Sequence, residues 1–508
     1  MVYLYIQNHC FKKQIQYSFD NILKILQIDY CILQSLNELL VVNENDILIK
    51  YTYEENNEYG VFKNILLIND SRIIFNKNNY LTKKSLPTTI QRYESDNYGE
   101  RYDIISLYNF GERLYINKYL QKGKKLIETN LDIISDIFFM LSRYEEIVNK
   151  ELIKNEIFNR FSSKDSLAYK NNFLHRPIVN EHIDLLWSLI DSFGLGYKRK
   201  NLWGDKDYAA CITHDVDMVI KFKSVKDIIK CSGKLMLKNK DVRGAFYLLR
   251  SLINSKKEYK NDPFWTFDYI IDMEKRYGFK SAFYFMSGGE SKFDNFYDIN
   301  DIKVIDLINQ IQNEGFEAGY HGSFNSYNDF ELMKKEKEIL KNLLINKKYG
   351  CRQHFLRFEA PLTWRYQEKL GLLYDTTLTF ADKEGFRCGT CLPYKPYDIL
   401  ENRVLDILEI PLIVMEGSLQ NQNYSNYSAE QGLQKTKELI DTVRKHNGVF
   451  TLLYHNSSFD VYNKNWDGWK QTYEKTMEYL WSTNCYGGSG RDIINIMGRT
   501  IGKSNYIE

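Results

Sequence analysis

The stretch Tyr208-Ala-Ala-Cys-Ile-Thr-His214-Asp215-Val216-Asp217 decides how the rest of the chain is read. Tyr208 to Thr213 is an apolar run that predicts a buried strand, and it ends in a His and two Asp. Other runs end in similar residues: His321 closes Phe316 to Tyr320, His455 closes Gly448 to Tyr454, and Arg357 follows the segment His354 to Leu356. Metal ligands and acid/base groups at the carboxyl ends of successive strands are how a barrel-type α/β enzyme assembles its site. A metal-assisted hydrolase is therefore the leading expectation.

Outward from this stretch the chain alternates. Strands are predicted at 208–213, 280–286, 316–320, 406–414 and 449–454, with the segment 352–358 after Gly350 and a short run around His354 to Leu356 within it. Helices are predicted at 266–277, 301–313, 329–346, 429–446 and 468–482, and a polar stretch lies near 254–263. Gly278, Gly315, Gly350 and Gly448 mark returns from helix to strand. Repeated βα units imply a parallel sheet. Residues 1–200 read as a mixed α/β domain, with a strand candidate at Gly60 to Asn69 and helices over Leu131 to Val148 and His182 to Leu195. The basic, polar junction from Gly196 to Gly204 places a boundary between this domain and a second one at 205–500.

A net charge of +2 over 508 residues, without an evident basic stripe, argues against nucleic acid as a partner. The 39 Tyr and 29 Phe accompany abundant Lys, Asn and Ile and only 7 Pro, which reads as codon bias of an AT-rich genome. The N-terminal residues have no charged leader followed by an apolar core, and no apolar stretch reaches the ~20 residues of a membrane span. A cytoplasmic protein is expected. Eight Cys in so long a chain do not make a disulfide scaffold, and Cys388-Gly-Thr-Cys391 reads as two thiols in a tight turn.

Of the eight His, His214, His321, His354 and His455 lie at or near predicted strand ends, where ligand sites of parallel sheets converge. His446 reads as a helix cap, and His9, His175 and His182 as structural. Asp215 and Asp217, two apart, point the same way if the strand continues, and a divalent cation resolves their repulsion. One would bind the metal while the other takes a proton from water.

Thr213-His-Asp-Val-Asp217, Tyr320-His-Gly-Ser-Phe-Asn325, Arg357-Phe-Glu-Ala-Pro361 and Leu453-Tyr-His455 resemble, in order and spacing, the motifs of polysaccharide deacetylases. This is the NodB-homology group of metal-dependent, distorted (β/α) barrels, and the resemblance covers about 205–500. The chain looks closer still to a bacterial subgroup with this His-Asp-Val-Asp form and a poorly characterised N-terminal domain. The stretches Ser162 to Ile178 and Phe386 to Pro393 also look like that subgroup.

The resemblance implies that Asp215 is the catalytic base, Arg357 the group orienting it, and His455 the general acid. It puts His321 at the first metal His and Asn325 at the second. Val216 stands where the family has a metal-binding Asp, so Asp217 is the candidate replacement, with His214 and His354 as spare ligands. Zinc is the expected ion, ahead of cobalt, nickel or manganese. Trp466 and Trp469, in a loop after the His455 strand, are candidates for stacking a pyranose, and Gly487-Gly-Ser-Gly490 reads as a turn. The expected activity is deacetylation of an N-acetylated sugar or glycan precursor, nucleotide- or lipid-linked. The alternative is a silent barrel that binds glycan or acts as a scaffold, for which Val216 and Asn325 speak.

Overall fold

The computed structural model describes residues 1–501 apart from 8, 40, 55–57, 96–101, 223, 238–239, 241, 254–257 and 295–296. The chain is mixed α/β with two main sheets. The first is six-stranded, in the spatial order Tyr30–Leu33, Val2–Ile6, Ile47–Thr52, Asn64–Asn69, Lys124–Thr129 and Ile116–Gln121. Its first five strands run parallel and the last antiparallel. The strand expected at Gly60 to Asn69 is present as Asn64–Asn69. The helix expected over 131–148 is broken at Arg143, whose φ of +53° ends Ile133–Leu141 and restarts the chain as Tyr144–Val148.

The second sheet carries the motifs. Its order is Leu408–Glu409, Tyr374–Asp375, Cys351–Gln353, Glu317–Gly322, Ala282–Met286, Tyr208–Val216, Val449–Leu453 and Val414–Met415, all parallel. Cys485–Gly488 pairs with the first half of Tyr208–Val216, and a Cβ on Gly487 would stand 2.3 Å from the Phe279 ring. That glycine is there for close packing.

The sheet must curl. Eight strands laid flat would put the two edges about 34 Å apart at ~4.8 Å per spacing. Yet the Ile410 N–H bonds to the Asp375 carbonyl at one edge and the Ile413 N–H to the Thr451 carbonyl at the other. Three residues span at most about 11 Å. The single strand expected at 406–414 is thus two short pieces on opposite edges. Pro411, which has no N–H to give a ladder, lies between them. In the segment 352–358 the strand stops at Gln353, and His354–Leu356, expected as a run of the sheet, is a tight turn in which Phe355 and Leu356 have φ of +59° and +55°. Of the polar stretch near 254–263, positions 254–257 lie outside the described residues, and Glu258–Asn261 form a 3-10 turn.

Residues 143–194 pack against the 379–392 loop of the second sheet. Phe386 N–H bonds to the Leu174 carbonyl, Val179 N–H to that of Gly389, and Asn180 Oδ1 accepts from Thr390 and Cys391. At the centre of this seam Glu146 is buried between two guanidiniums, Arg143 (2.7 Å) and Arg387 (2.8 Å). Burial alone would raise the Glu146 carboxyl, but the two arginines outweigh it and hold it at about 2. Cys388 and Cys391 are buried and unpaired, and burial pushes the Cys388 thiol up to about 12, so neither has the character of a reactive thiolate. No described helix is long and apolar enough to cross a membrane.

Candidate functional site

The site lies where the parallel strands of the second sheet end. Side chains alternate along a strand, so Asp215 and Asp217 share one face of Tyr208–Val216 and its extension, and His214 takes the other. The structure follows that rule. His214 lies outside the sheet's concave side, its Nδ1 2.8 Å from the Tyr454 carbonyl and its Nε2 2.8 Å from Glu274, with the ring stacked on Phe283. Both ring nitrogens are committed, so His214 is not a spare metal ligand.

Asp217, His321 and His354 come together, with one donor atom from each within 4.8 Å of the others. His321 Nε2 is 3.1 Å from Asp217 Oδ1, and His354 Nε2 is 3.6 Å from the same oxygen. The second nitrogen of each ring is tethered, His321 Nδ1 at 3.0 Å to the Arg352 carbonyl and His354 Nδ1 at 3.3 Å to Asp294. Such outer partners fix the ring and leave Nε2 to face the third ligand. Burial alone would raise Asp217, but His354, His321 and His455 outweigh it and hold the carboxyl well below the usual range. Burial likewise works to lower His354, and Asp217 and Asp294 overcome it, raising it to about 9. Two pre-oriented imidazoles and a carboxylate are a donor set that fits a divalent first-row ion, which would take the imidazoles in their neutral form.

Asn325 does not join them. Its side-chain oxygen accepts from Arg357 (3.1 Å), and an oxygen already facing a guanidinium is a poor place for a second cation. Arg357 itself is not at Asp215. Its guanidinium donates to the carbonyls of Phe158 and Phe324 and to Tyr327, and lies over the Phe324 ring. The group that holds Asp215 is Arg352, whose Nη1 is 2.9 Å from both Asp215 Oδ1 and Thr213 Oγ1. Arg352 is fully buried and belongs to a strand three places from Tyr208–Val216, about 14 Å away in a flat sheet, so the curl makes this bond. The other oxygen of Asp215 faces His321 Nε2 at 3.8 Å.

His455 completes the group. Its Nε2 points at Asp217 (3.6 Å) and its Nδ1 at Glu416 (2.7 Å), which also accepts from the His455 backbone N–H. Burial works to lower its pKa, but Glu416 with Asp217 and Asp215 outweighs it and raises it to about 10. A raised folded value means that charging His455 stabilises the fold at low pH. That contribution is complete below about 6.5 and is lost as pH climbs towards 10. Glu416→Gln is expected to lower the His455 pKa by about 1–3 units, read from its ring-proton NMR titration in the metal-free protein. An unmoved titration would remove Glu416 as the group that keeps His455 charged.

Trp469 is no sugar platform. It is buried beneath Gly432, where a Cβ would stand 2.7 Å from its ring, and Trp466 is half-buried with its ring edge-on to Trp469. The aromatic surface beside His354 is a set of half-buried rings, Phe158, Phe293, Phe324 and Phe355, with centroids 4.6–6.3 Å apart. Phe355 lies edge-on to His354 at 4.7 Å. Reasoning from the sequence missed Arg352, Glu416, Asp294 and this aromatic wall. A buried-strand Arg one residue after a Cys, and a Glu just past an apolar run, were the only signals available.

Residues 2–194 match a family model described as a family of unknown function, DUF7033. A search of curated proteins found no match. Among solved structures the chain is similar to one described as a "putative polysaccharide deacetylase" from Mycobacterium smegmatis, at 13% identity and a TM-score of 0.38, over 58% of this chain and 92% of that one.

Proposed function

We propose that the chain is a metal-dependent carbohydrate deacetylase, cleaving the amide of an N-acetylated sugar or glycan precursor to acetate and a free amine. The observation that carries this reading is the meeting of Asp217, His321 and His354, with Asp215 next to His321 and His455 next to Asp217. Together with the order of the motifs, it supports a NodB-type barrel over 205–500, following an α/β domain at 1–200 that packs against it.

Asp217, His321 and His354 would hold the ion, which would supply Lewis acidity towards the amide carbonyl and lower the pKa of water. The remaining work falls to this chain's own side chains. Arg352 holds Asp215 Oδ1, which leaves Oδ2 free to take a proton from the attacking water as the new C–O bond forms. His455, kept charged by Glu416, gives its proton to the amine nitrogen as the C–N bond breaks. Asp215 adjoins the ligand group through His321 and His455 through Asp217, so removal and delivery of a proton fall to separate side chains. The Phe158–Phe355 wall would take the apolar face of the sugar ring. His354 supplies the third donor whose lack would have favoured a silent, glycan-binding barrel.

The test is acetate release from a panel of N-acetylated sugars, free, nucleotide-linked and lipid-linked, by zinc- or cobalt-loaded protein. Release that disappears in His321→Ala supports the reading. Absence of release from every member by fully loaded protein would contradict it.

A further inference from the structure

The charge of this chain is unevenly spread. Residues 221–260 hold twelve Lys and Arg against three Asp and Glu, a local net charge of +9, which leaves −7 for the rest of a chain whose total is +2. Its described residues include two helices packed against one another, Val225–Leu237 and Val242–Ile253. A small apolar seam holds it together, with Leu235, Ala245 and Leu248 buried and Phe222, Ile228, Cys231 and Tyr462 packed around them.

The remaining surface has two properties at once. Lys226, Lys230 and Lys234 recur every fourth residue, so they line one face of the first helix, and all three are exposed. With exposed Lys240 and Arg243 they make no ion pair among the described residues. Interleaved with them are large apolar side chains open to solvent: Ile229 (54% exposed), Met236 (44%), Leu237 (85%), Val242 (61%) and Phe246 (67%). Duplex nucleic acid or an acidic protein surface would use the cations but leave the exposed Leu237 and Phe246 without a use. A bilayer with anionic headgroups uses both, since cations sit among phosphates while apolar side chains enter the acyl boundary.

We propose that the 225–253 helix pair docks this protein on an anionic lipid surface. The pair is rooted at the end of the sheet that carries the candidate site. The chain enters it soon after Asp217, Asp262 accepts the N–H groups of Lys221 and Phe222, and Lys221 Nζ is 2.5 Å from Asp460, in the loop that follows His455. Asn456, next to His455, donates to the Met218 carbonyl. Docking therefore brings the carboxyl ends of the strands towards the lipid, and it holds whether or not the site removes acetyl groups.

The experiment is co-sedimentation of the full chain with vesicles of phosphatidylcholine containing phosphatidylglycerol, against vesicles of phosphatidylcholine alone. Binding is expected to the first and to be much weaker to the second. A Lys226→Gln, Lys230→Gln, Lys234→Gln variant is expected to lose about a hundredfold in affinity, as each cation near an anionic surface is worth about a factor of five. Leu237→Ser with Phe246→Ser is expected to weaken binding as well. All five side chains are exposed, so thermal unfolding should be unchanged in both variants. Failure of the unaltered chain to bind anionic vesicles, equal binding to both vesicle types, or binding indifferent to both variants would overturn the proposal. So would binding to duplex DNA but to neither vesicle type.

Discussion

Asp215→Asn is expected to lower acetate release by about 10²–10⁴-fold while the metal stays bound, the range by which a positioned general base contributes to rate. The carboxamide is nearly the same shape and its oxygen can still accept from Arg352 Nη1. What it cannot do is take a proton. Asp215 is not among the three residues whose donor atoms converge, so metal content should remain that of the unaltered protein. Kcat at saturating substrate, metal per chain and melting temperature together separate the causes. The last is needed because Arg352 is fully buried and loses its negative partner. Full activity in this variant would remove Asp215 as the base, and lost metal would make it a ligand instead.

The largest effect on stability is expected outside the ligand group, at Glu146. Its two oxygens take hydrogen bonds from Arg143 and Arg387, and all three residues are buried to within a few per cent of full exclusion from solvent. Glu146→Ala leaves two guanidiniums facing one another without a counter-charge. Breaking a buried ion pair from one side costs about 3–5 kcal/mol, because the surviving charge has lost both water and partner. Arg143 also donates to the Arg387 carbonyl, so the damage should spread through the seam between residues 143–194 and 379–392. Urea unfolding should show a loss of unfolding free energy of that size, the midpoint shift multiplied by the slope m. A loss below about 1 kcal/mol, the value of an exposed pair, would mean that water reaches the seam.

Part of this architecture was legible in the sequence. The run Tyr208 to Thr213 reads as a strand because it is continuously apolar and too short for a helix, and His321 and His455 close two others. The strict period of two along a strand was enough to set His214 against Asp215 and Asp217, so His214 could have been removed from the ligand set beforehand. Other features depend on curvature. Arg352 reaches Asp215 only because the sheet rolls up, and no spacing along the chain distinguishes it from Arg357 five residues later. His354 joins Asp217 because the chain turns at Phe355 and Leu356 through positive φ, a conformation that neither side chain favours and that the sequence did not announce. The expectation of no basic stripe fails at Lys226, Lys230 and Lys234, which are no run in the sequence and share a face only once the helix forms. The total of +2 is what remains when +9 and −7 are added.

The central claim is that Asp217, His321 and His354 hold a divalent ion. Elemental mass spectrometry of tag-free protein, loaded and then desalted, tests it most directly, with Asp217→Ala, His321→Ala and His354→Ala alongside. The account predicts about one zinc, cobalt, nickel or manganese per chain, lost or sharply reduced in each variant, since removal of one of three ligands leaves too few donors. No retained metal in the unaltered chain, or metal that persists in all three variants, would contradict it.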